Sequence, residues 1–415
     1  MFSNKFKHTL DSSPLDQYVD ICQEAINKAC GALKRPFKKL LSEILLLMIL
    51  VPNRVNFTQL AKYGKRSEQC YRQNFEREVD WVAVNRGLAE ARYGGGEGRR
   101  AIDIDPSYID KNGKHTPEFG RFWSGCAGEA KRGLELMGVG VTDIDAHDCM
   151  MLRAVQTPSV GSLKDAGLKL TDWYLAALLA LRDILLGISK IVTSDAYFST
   201  RQFADGLQEA GFHLISRFRS NVNLRYLYEG PRTGKKGRPR KLDGKIDVKA
   251  PDLSRMERIL TPYDDGSYYT LVAYASALKR NVRVVLFYPD NGSACKIYFS
   301  TDTDIPAAEI VDFYRCRFQI EFCFRNAKQH IGLCDCQARS MGKLDFHFNA
   351  SFTALNVAKV CIHRHHPGLG IAGLKSLLYN TYIVGRFLCR YGRASNRLLN
   401  GQIIKELLFI AAPAA

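Results

Sequence analysis

The chain has 415 residues, of which 46% are hydrophobic, so it can bury a sizeable core and we expect two or three domains. Its formal charge of +17 indicates a polyanionic partner. The start of the sequence, MFSNKFKHTL, lacks the apolar core of a secretory signal. The apolar run at 44–51 is about half the length of a membrane span, and the run after Trp173 is interrupted by Arg182 and Asp183. We therefore expect a cytoplasmic protein without a membrane span.

The 12 cysteines are scattered and form no CxxC pair, which supports neither a disulfide framework nor a zinc finger. This usage predicts buried thiols in a reducing compartment. His330, Cys334 and Cys336 are a weak candidate for part of a metal site, because no fourth ligand stands out near them. The histidines that follow 362 are typical of a polar helix end.

Helical patterns occupy the first part of the chain. Residues 15–50 predict two helices with a break near Pro36. The sequence NFTQLAKYGKRSEQCYRQNFERE then predicts a short helix from Phe57, a turn at Gly64 and a second helix from Ser67. This pair is either a helix-turn-helix whose second helix enters a major groove or a plain helical hairpin.

The glycine-rich stretch at 91–100 marks a domain boundary. Strand patterns follow at 100–104, 120–124 and 134–145, close enough in sequence to pair as a meander. A helical pattern covers 170–187, so the order predicts a mixed α/β core.

The sequence KIVTSDAYFSTRQFADGL predicts a strand that ends at Asp195, a turn, and a helix that begins near Ser199 and Thr200. An acid at the carboxyl end of a buried strand is well placed to hold a metal ion at the edge of a sheet.

Residues 217–245 are the most basic part of the chain, with ten Lys or Arg against two acids. The central KKGRPRK has an Arg-Pro kink flanked by cations, a pattern that AT-rich minor grooves accept. A solvated loop is the ordinary interpretation, whereas phosphate contact is favoured if the protein processes DNA. The candidate contacts are Lys235, Lys236, Arg238, Arg240 and Lys241.

A β-rich region follows the basic segment. Four strand patterns, at 256–263, 268–278, 282–288 and 295–300, are separated by the turn signals DDG, KRN and PDNG.

The stretch FYRCRFQIEFCFRNAK places Tyr314, Arg317, Glu321 and Lys328 within about 60° on one face of a helix, at about 100° per residue. One carboxylate among phosphate-binding donors suits metal-dependent phosphoryl transfer. The alternative is a solvated face with an i,i+4 ion pair.

The spacing Tyr-x2-Arg-x3-Glu-x6-Lys resembles, without gap or mismatch, the signature of the DDE transposases of bacterial insertion sequences. The resemblance covers about 101–362 and is weakest from about 219 to 262. It implies a ribonuclease H-like core and makes Glu321 the third acid of an Asp, Asp, Glu triad.

Two upstream segments fit the other acids. The strand that ends at Asp195 resembles the family's second-Asp motif. The sequence AIDIDPSYIDKNGKHTPEFGRFWSG resembles the first, in which the acid lies two residues before a Ser or Thr, and this selects Asp105 with Ser107. Asp103, on the same face of the strand, is the alternative.

The resemblance implies that Asp105, Asp195 and Glu321 hold two Mg²⁺ or Mn²⁺ ions for hydrolysis and transesterification of DNA. It implies DNA transposition, a form of DNA recombination, by a homodimer on paired element ends, in the bacterial cytoplasm at the nucleoid and without a small-molecule substrate. The implied DNA contacts of the signature segment are Tyr314, Arg317, Lys328 and Arg325.

Two other functions remain open. A ribonuclease H-like nuclease or resolvase shares the acids and metals but never joins strands. A catalytically silent DNA-binding protein derived from a transposase keeps the basic segments, although the complete set of acids argues against it.

The predicted architecture is an α/β, ribonuclease H-like mixed-sheet core with a β-rich insertion, preceded by a helical domain and followed by C-terminal helices. Helical patterns run from Lys343 to His365 and again from Gly373 and Gln402. The predicted division is 1–95 (helical, with the element-end contact), 96–216 (first part of the core), 217–303 (insertion), 304–366 (completion of the core with the signature) and 367–415 (C-terminal helices).

Overall fold

The computed structural model describes residues 13–95, 98–113, 115–231 and 239–390. Its first part is helical, as the sequence predicts. Ser13 caps the first helix reciprocally with Asp16, and Pro36 lies in the first turn of the second helix, where its missing N–H costs nothing. Asn56 and Ser67 cap the predicted short pair. The helices are α1 (Pro14–Ala29), α2 (Arg35–Leu50), α3 (Phe57–Tyr63), α4 (Glu68–Asn74) and α5 (Trp81–Tyr93).

A mixed sheet of 12 strands forms the centre of the described structure. The strands are β1 (Arg100–Asp110), β2 (Gly120–Ser124), β3 (Glu129–Asp143), β4 (Asp148–Gln156), β5 (Ile191–Thr193), β6 (His213–Phe218), β7 (Leu224–Leu227), β8 (Leu242–Lys245), β9 (Glu257–Ile259), β10 (Gly266–Ala275), β11 (Arg280–Pro289) and β12 (Lys296–Ser300).

The first four strands correct the predicted meander. β1 pairs along its whole length with β3 rather than with β2, and β2 and β4 pair with the other edge of β3. Because β3 has 15 residues, it supports both short partners in succession. The strand β4 was missed because its sequence DCMMLRAVQ is a nearly continuous apolar run without a period of two.

The helices beyond β4 cover and complete the sheet. The helix predicted at 170–187 is two helices, because the chain turns at 180–181 before it resumes. The helices are α6 (Val160–Asp165), α7 (Leu170–Leu179), α8 (Arg182–Leu186), α9 (Arg201–Glu209), α10 (Ala307–Cys316), α11 (Gln319–His330), α12 (Met341–His365) and α13 (Ile371–Arg390).

The β-rich region extends the same sheet. β12 pairs antiparallel with β6, and β11, β10 and β7 follow outward, with β9 on β10 and β8 on β7. All four strands predicted between 256 and 300 are present. β7 and β8 were not predicted; they flank the basic centre, whose residues 232–238 lie outside the described part of the chain.

The helix α12 is the central packing element, since 16 of its side chains are buried. The N-terminal helices α1, α2 and α5 pack on it, and so do β4 and α11. Tyr18 of α1 donates to the Ala354 carbonyl at 2.8 Å, and Asn356 bonds Asn85 of α5 at 2.9 Å. The N-terminal helices therefore share one core with the sheet.

No helix in the described ranges is both long enough and apolar enough to cross a membrane. The helix predicted from Gln402 falls outside these ranges.

Candidate active site

The sheet brings two aspartates, one in the middle of β1 and one just after β5, to neighbouring positions. β1 is parallel to β5, and Asp103 lies opposite Thr193. Asp105 and Asp195 each lie two residues beyond this pair. Neighbouring strands are about 4.8 Å apart, so the two aspartates are close to each other. Asp195 caps the turn that follows β5, because its Oδ1 accepts the Tyr197 N–H at 2.9 Å.

Asp103 is in a different environment from Asp105. Its side chain is completely buried, and the Thr142 and Thr193 hydroxyls donate to its two carboxylate oxygens. Burial raises the pKa of Asp103 to about 7, and the two threonine hydrogen bonds oppose that rise. Asp103 therefore supports the strands from inside the core, whereas the Asp105 side chain is 19% exposed.

The signature segment is two helices rather than the single helix that the spacing suggests. α10 ends at Cys316, α11 begins at Gln319, and the residues between them make i→i+3 hydrogen bonds, Ile320 N–H to Arg317 at 3.3 Å and Glu321 N–H to Phe318 at 3.1 Å. This tighter turn rotates α11 relative to α10. The segment is therefore not one uninterrupted helix, and Arg317 lies at the junction, with the Tyr314 ring 5.8 Å from its guanidinium and Glu321 2.9 Å from its Nη2.

Arg317 joins two of the predicted acids. Its Nη2 donates to Glu321 Oε1 at 2.9 Å, and its Nη1 lies 3.7 Å from Asp105 Oδ1. The arginine side chain is 11% exposed, and its Nε and Nη1 atoms find no hydrogen-bond partner among the described residues. This buried guanidinium therefore has N–H donors beside both carboxylates that are not yet used in a hydrogen bond.

The electrostatics of Asp105 show that the acids influence one another. Burial raises its pKa to about 7, the positive charge of Arg317 opposes this, and the charges of Glu321, Asp195 and Asp103 raise it further. A carboxylate whose charge is disfavoured by burial and by other carboxylates is typical of a functional site.

Apolar packing holds α11 against the sheet. Ile320, Cys323, Phe324 and Ala327 are buried on one side of the helix. Gly138, opposite Asp105 on β3, leaves room for the Phe324 ring, because a Cβ at this position would lie 2.8 Å from the ring. This close approach brings α11 against β1, where Arg317 links Glu321 to Asp105.

Tyr314, on α10, faces the insertion strands. Its ring lies 4.8 Å from the Tyr298 ring of β12 and 5.8 Å from the Arg317 guanidinium. Burial raises the pKa of Tyr314, Arg317 and Arg217 oppose the rise, and Asp195 adds to it. The tyrosine therefore lies between the acids and the insertion.

Lys328 and Arg325 have different surroundings on α11. The Lys328 ammonium donates to Ser107 Oγ at 2.9 Å and to the Tyr108 carbonyl at 2.7 Å, so it ties α11 to β1 beyond Asp105. Burial lowers its pKa. Arg325 is exposed, and its guanidinium lies 4.3 Å from the Phe322 ring.

The predicted contacts of the basic segment are only partly described. Arg240 is exposed, donates to Asp243 and lies 4.8 Å from the Tyr228 ring. Lys241 is also exposed. Lys235, Lys236 and Arg238 lie outside the described residues.

An open groove of about 640 Å³ beside Asp195 contains cations that were not among the sequence-based candidates. Arg217, Arg219 and Lys296 line it; all three are exposed, and none pairs with a carboxylate of the described residues. Arg217 and Arg219 belong to the basic segment, so its composition could have identified them as candidates from the sequence. Lys296 carried no signal, because its position depends on the pairing of β12 with β6.

Oxygen donors from Asp105, Asp195 and Glu321 have the chemistry that Mg²⁺ and Mn²⁺ prefer. In the arrangement described, Arg317 takes the position between Asp105 and Glu321, and no group of three or more His, Cys, Asp or Glu side chains in the described ranges is close enough to hold an ion. A cation at Glu321 would have to replace the bond of this carboxylate with Arg317. The His330 and Cys334 candidate likewise forms no metal cluster here.

Two aspartates on neighbouring strands with a glutamate on a facing helix are typical of a class of nucleic-acid enzymes, and comparison with known families shows which family this chain belongs to. The family model of the transposase DDE domain matches residues 140–357. The match spans just over half of the chain, includes Asp195 and Glu321 and begins after Asp105, so the chain belongs to this family. No curated protein matches the chain.

Proposed function

We propose that this protein is the transposase of an insertion sequence, which cleaves DNA at the element ends and joins the freed 3′-hydroxyl to target DNA. The observation that carries the proposal is the junction at Arg317, where one buried guanidinium contacts Glu321 and Asp105 while the charge of Asp195 acts on the same Asp105. The family membership supports the same reaction.

The catalytic core is ribonuclease H-like in this proposal. Its support is the strand order, in which β4, β3 and β1 are antiparallel neighbours and β5 and β6 add to β1 in parallel. The division into domains at 95, 216, 303 and 366 stays a prediction.

Asp105, Asp195 and Glu321 would hold two Mg²⁺ or Mn²⁺ ions, whose Lewis acidity neutralises charge on the attacking and leaving oxygens of a phosphodiester. The protein side chains do the rest. The carboxylates fix the site where β5 ends beside the middle of β1, and Arg317, once released by Glu321, offers its unpaired donors to the scissile phosphate. In this proposal a single movement takes the Arg317 guanidinium away from the acids and brings it to the DNA phosphate.

The remaining contacts position DNA without reading its sequence. We expect the exposed Arg325 and the exposed groove cations to contact phosphates near the acids. The groove cations are Arg217, Arg219 and Lys296. Tyr314 packs against a sugar or base at the break, and Lys328, which has one donor beyond its two bonds to β1, contacts the backbone there.

The basic segment is a sequence-independent phosphate contact in this proposal. Replacement of its five candidate contacts by Ala should lower the log–log salt slope of DNA binding by about 0.9 for each phosphate that is no longer neutralised. The five are Lys235, Lys236, Arg238, Arg240 and Lys241. Binding isotherms at several salt concentrations measure this. An unchanged slope assigns the segment to a solvated loop.

The decisive experiment replaces Glu321 by Gln, which removes one charge and keeps the shape. End DNA, taken from inverted repeats that flank the reading frame, is incubated with Mg²⁺ or EDTA, and cleaved and joined products are measured beside a gel-shift assay. We expect Glu321→Gln to lose both products and retain binding, because binding depends mainly on cations. Glu309→Gln, the same change at the start of α10, is the matched control and should remain active.

The products also separate the alternatives. Cleavage without joining by the unmodified enzyme indicates a nuclease or resolvase, and binding without cleavage indicates a silent DNA-binding protein. Full activity of Glu321→Gln contradicts the mechanism. A dimer on paired ends predicts that two end duplexes enter one complex, which light scattering of the protein–DNA complex measures.

A further inference from the structure

The hairpin formed by β2 and β3 carries side chains that the proposed mechanism does not use. Arg121 and Trp123 alternate with the buried Phe122 and therefore lie on the same face of β2. Across the ladder, Arg121 faces Arg132 and Trp123 faces Ala130. Two arginines and one tryptophan thus share one exposed face of the hairpin.

The two arginines are directly opposite each other, an arrangement that destabilises a ladder unless the charges are neutralised. Arg121 donates to the Ala130 carbonyl at 2.8 Å, and neither arginine pairs with a carboxylate anywhere in the ranges that the structure describes. The pair therefore suits an anionic partner.

Trp123 adds a second and independent observation. Its side chain is 63% exposed at the edge of the sheet, although an indole of this size is ordinarily buried for most of its surface. A flat aromatic surface beside unpaired guanidinium groups is the combination that stacks on nucleic-acid bases and binds phosphates.

The hairpin face is the face that carries the acids. Asp105 lies opposite Gly138, and Gly138 faces Phe324 of α11. Because side chains alternate along a strand, every second residue of β3 from Gly138 back to Arg132 and Ala130 lies on this face. The arginine pair, Trp123 and Asp105 therefore face the same side of the sheet.

The hairpin is also connected to the signature segment. The Tyr108 hydroxyl donates to the Arg132 carbonyl at 2.6 Å, and the Tyr108 carbonyl accepts from Lys328 at 2.7 Å. Eight residues of β3 separate Ala130 from the position opposite Asp105, which is at most about 27 Å. Such a distance spans about eight base pairs of DNA at ~3.4 Å each.

We propose that Arg121, Trp123 and Arg132 form a DNA-contact surface, which holds the duplex within about eight base pairs of the scissile phosphate. The arginines contact phosphates and Trp123 packs on a sugar or base. This inference rests on the proposed function for the identity of the DNA, although the surface itself is argued from charge, exposure and face.

The test compares Arg121→Ala/Arg132→Ala with Lys131→Ala. Lys131 is the neighbouring cation of the same strand, but it lies opposite Phe122 and so on the other face. Affinity for end duplex is measured in EDTA at several salt concentrations. We expect the double variant to lower the log–log slope by about 1.8 and Lys131→Ala to leave it nearly unchanged.

Trp123→Ala should weaken binding about tenfold, and Trp123→Phe should recover most of that loss. A second set of end duplexes is shortened to about four base pairs on either the element side or the flanking side. The surface holds the side whose shortening removes the effect of the arginine variant on binding. Equal slopes for the double variant and the unmodified protein overturn the inference.

The outcomes keep the two proposals apart. A protein that cleaves and joins normally, with an unaltered slope in the double variant, retains the proposed function and loses this surface. A protein that binds but never cleaves, with a lowered slope, retains the surface and loses the function. A protein that binds no DNA loses both.

Discussion

The buried, ionised carboxylate of Asp105 lowers the stability of the fold, and replacement of Asp105 by Asn measures this cost. The pKa of Asp105 is about 7 in the folded protein, against ~3.9 for an ordinary aspartate. At ~1.36 kcal/mol for each pKa unit, ionised Asp105 destabilises the fold by at most about 4 kcal/mol. The variant also removes one partner of Arg317, so we expect a net gain of about 2–4 kcal/mol for Asp105→Asn at pH 8.

The sign of the pH dependence follows from proton binding. Between about pH 4 and pH 7 the folded protein keeps a proton on Asp105 that the unfolded chain has released, so this group makes stability fall as pH rises. Below about pH 4 both states are protonated and the difference vanishes. The stability gap between variant and unmodified protein should therefore open from about pH 4 and level off above about pH 7.

Thermal melts in EDTA from pH 5 to pH 8 measure this gap. With about 2.1 cal/mol/K for each of 415 residues, a gap of about 2–4 kcal/mol corresponds to a shift of about 2–5 °C in melting temperature. Asp110→Asn changes an exposed aspartate at the end of the same strand; it is the control and should show a small gap. Excess Mg²⁺ should raise the melting temperature of the unmodified protein more than that of Asp105→Asn.

The reasoning is refuted if Asp105→Asn melts below the unmodified protein at pH 8, or if the gap is the same at pH 5 and pH 8. Either result places Asp105 in an environment where its charge is favoured.

Three further changes test neighbouring parts of the site. Asp103→Asn should retain measurable cleavage of end DNA, whereas Asp105→Asn should have none, because only Asp105 is directed toward Arg317 and solvent. Gly138→Ala should cost about 1–3 kcal/mol in denaturant unfolding and reduce cleavage, since the new Cβ displaces Phe324 and with it α11. Arg317→Ala should lower the single-turnover cleavage rate at saturating DNA by about 100-fold and lower DNA affinity by a smaller factor. If the residue serves only binding, the loss of affinity should be the larger of the two.

Local signals account for the parts of the fold that were predicted. The capping residues and Pro36 define α1 to α4, and the turn signals between 256 and 300 separate four strands, because these features act over a few residues. The strand β4 has no such signal, since both faces are covered and its apolar run has no period. The pairing of β1 with β3 depends on contacts distant in sequence, which local patterns do not contain.

The acids of the site also divide into one that a local sequence signal identifies and one that only the structure identifies. The strand-end position of Asp195 could be read from KIVTSDAYF, but the choice between Asp103 and Asp105 required the structure. Both residues lie on one face of β1, and only the hydrogen bonds from Thr142 and Thr193 show that Asp103 is enclosed.

The break between α10 and α11 explains why the signature spacing combines residues of different surroundings. Tyr314, before the break, packs on Tyr298 of the insertion, and Glu321, after it, pairs with Arg317 beside β1. Neither glycine nor proline occupies the junction, so the sequence carries no signal for it. Because Arg317 lies in that turn and contacts both sides, any shift of the insertion on DNA changes the position of its guanidinium relative to Asp105. The signature is therefore a connection between the insertion and the acids as much as a set of ligands.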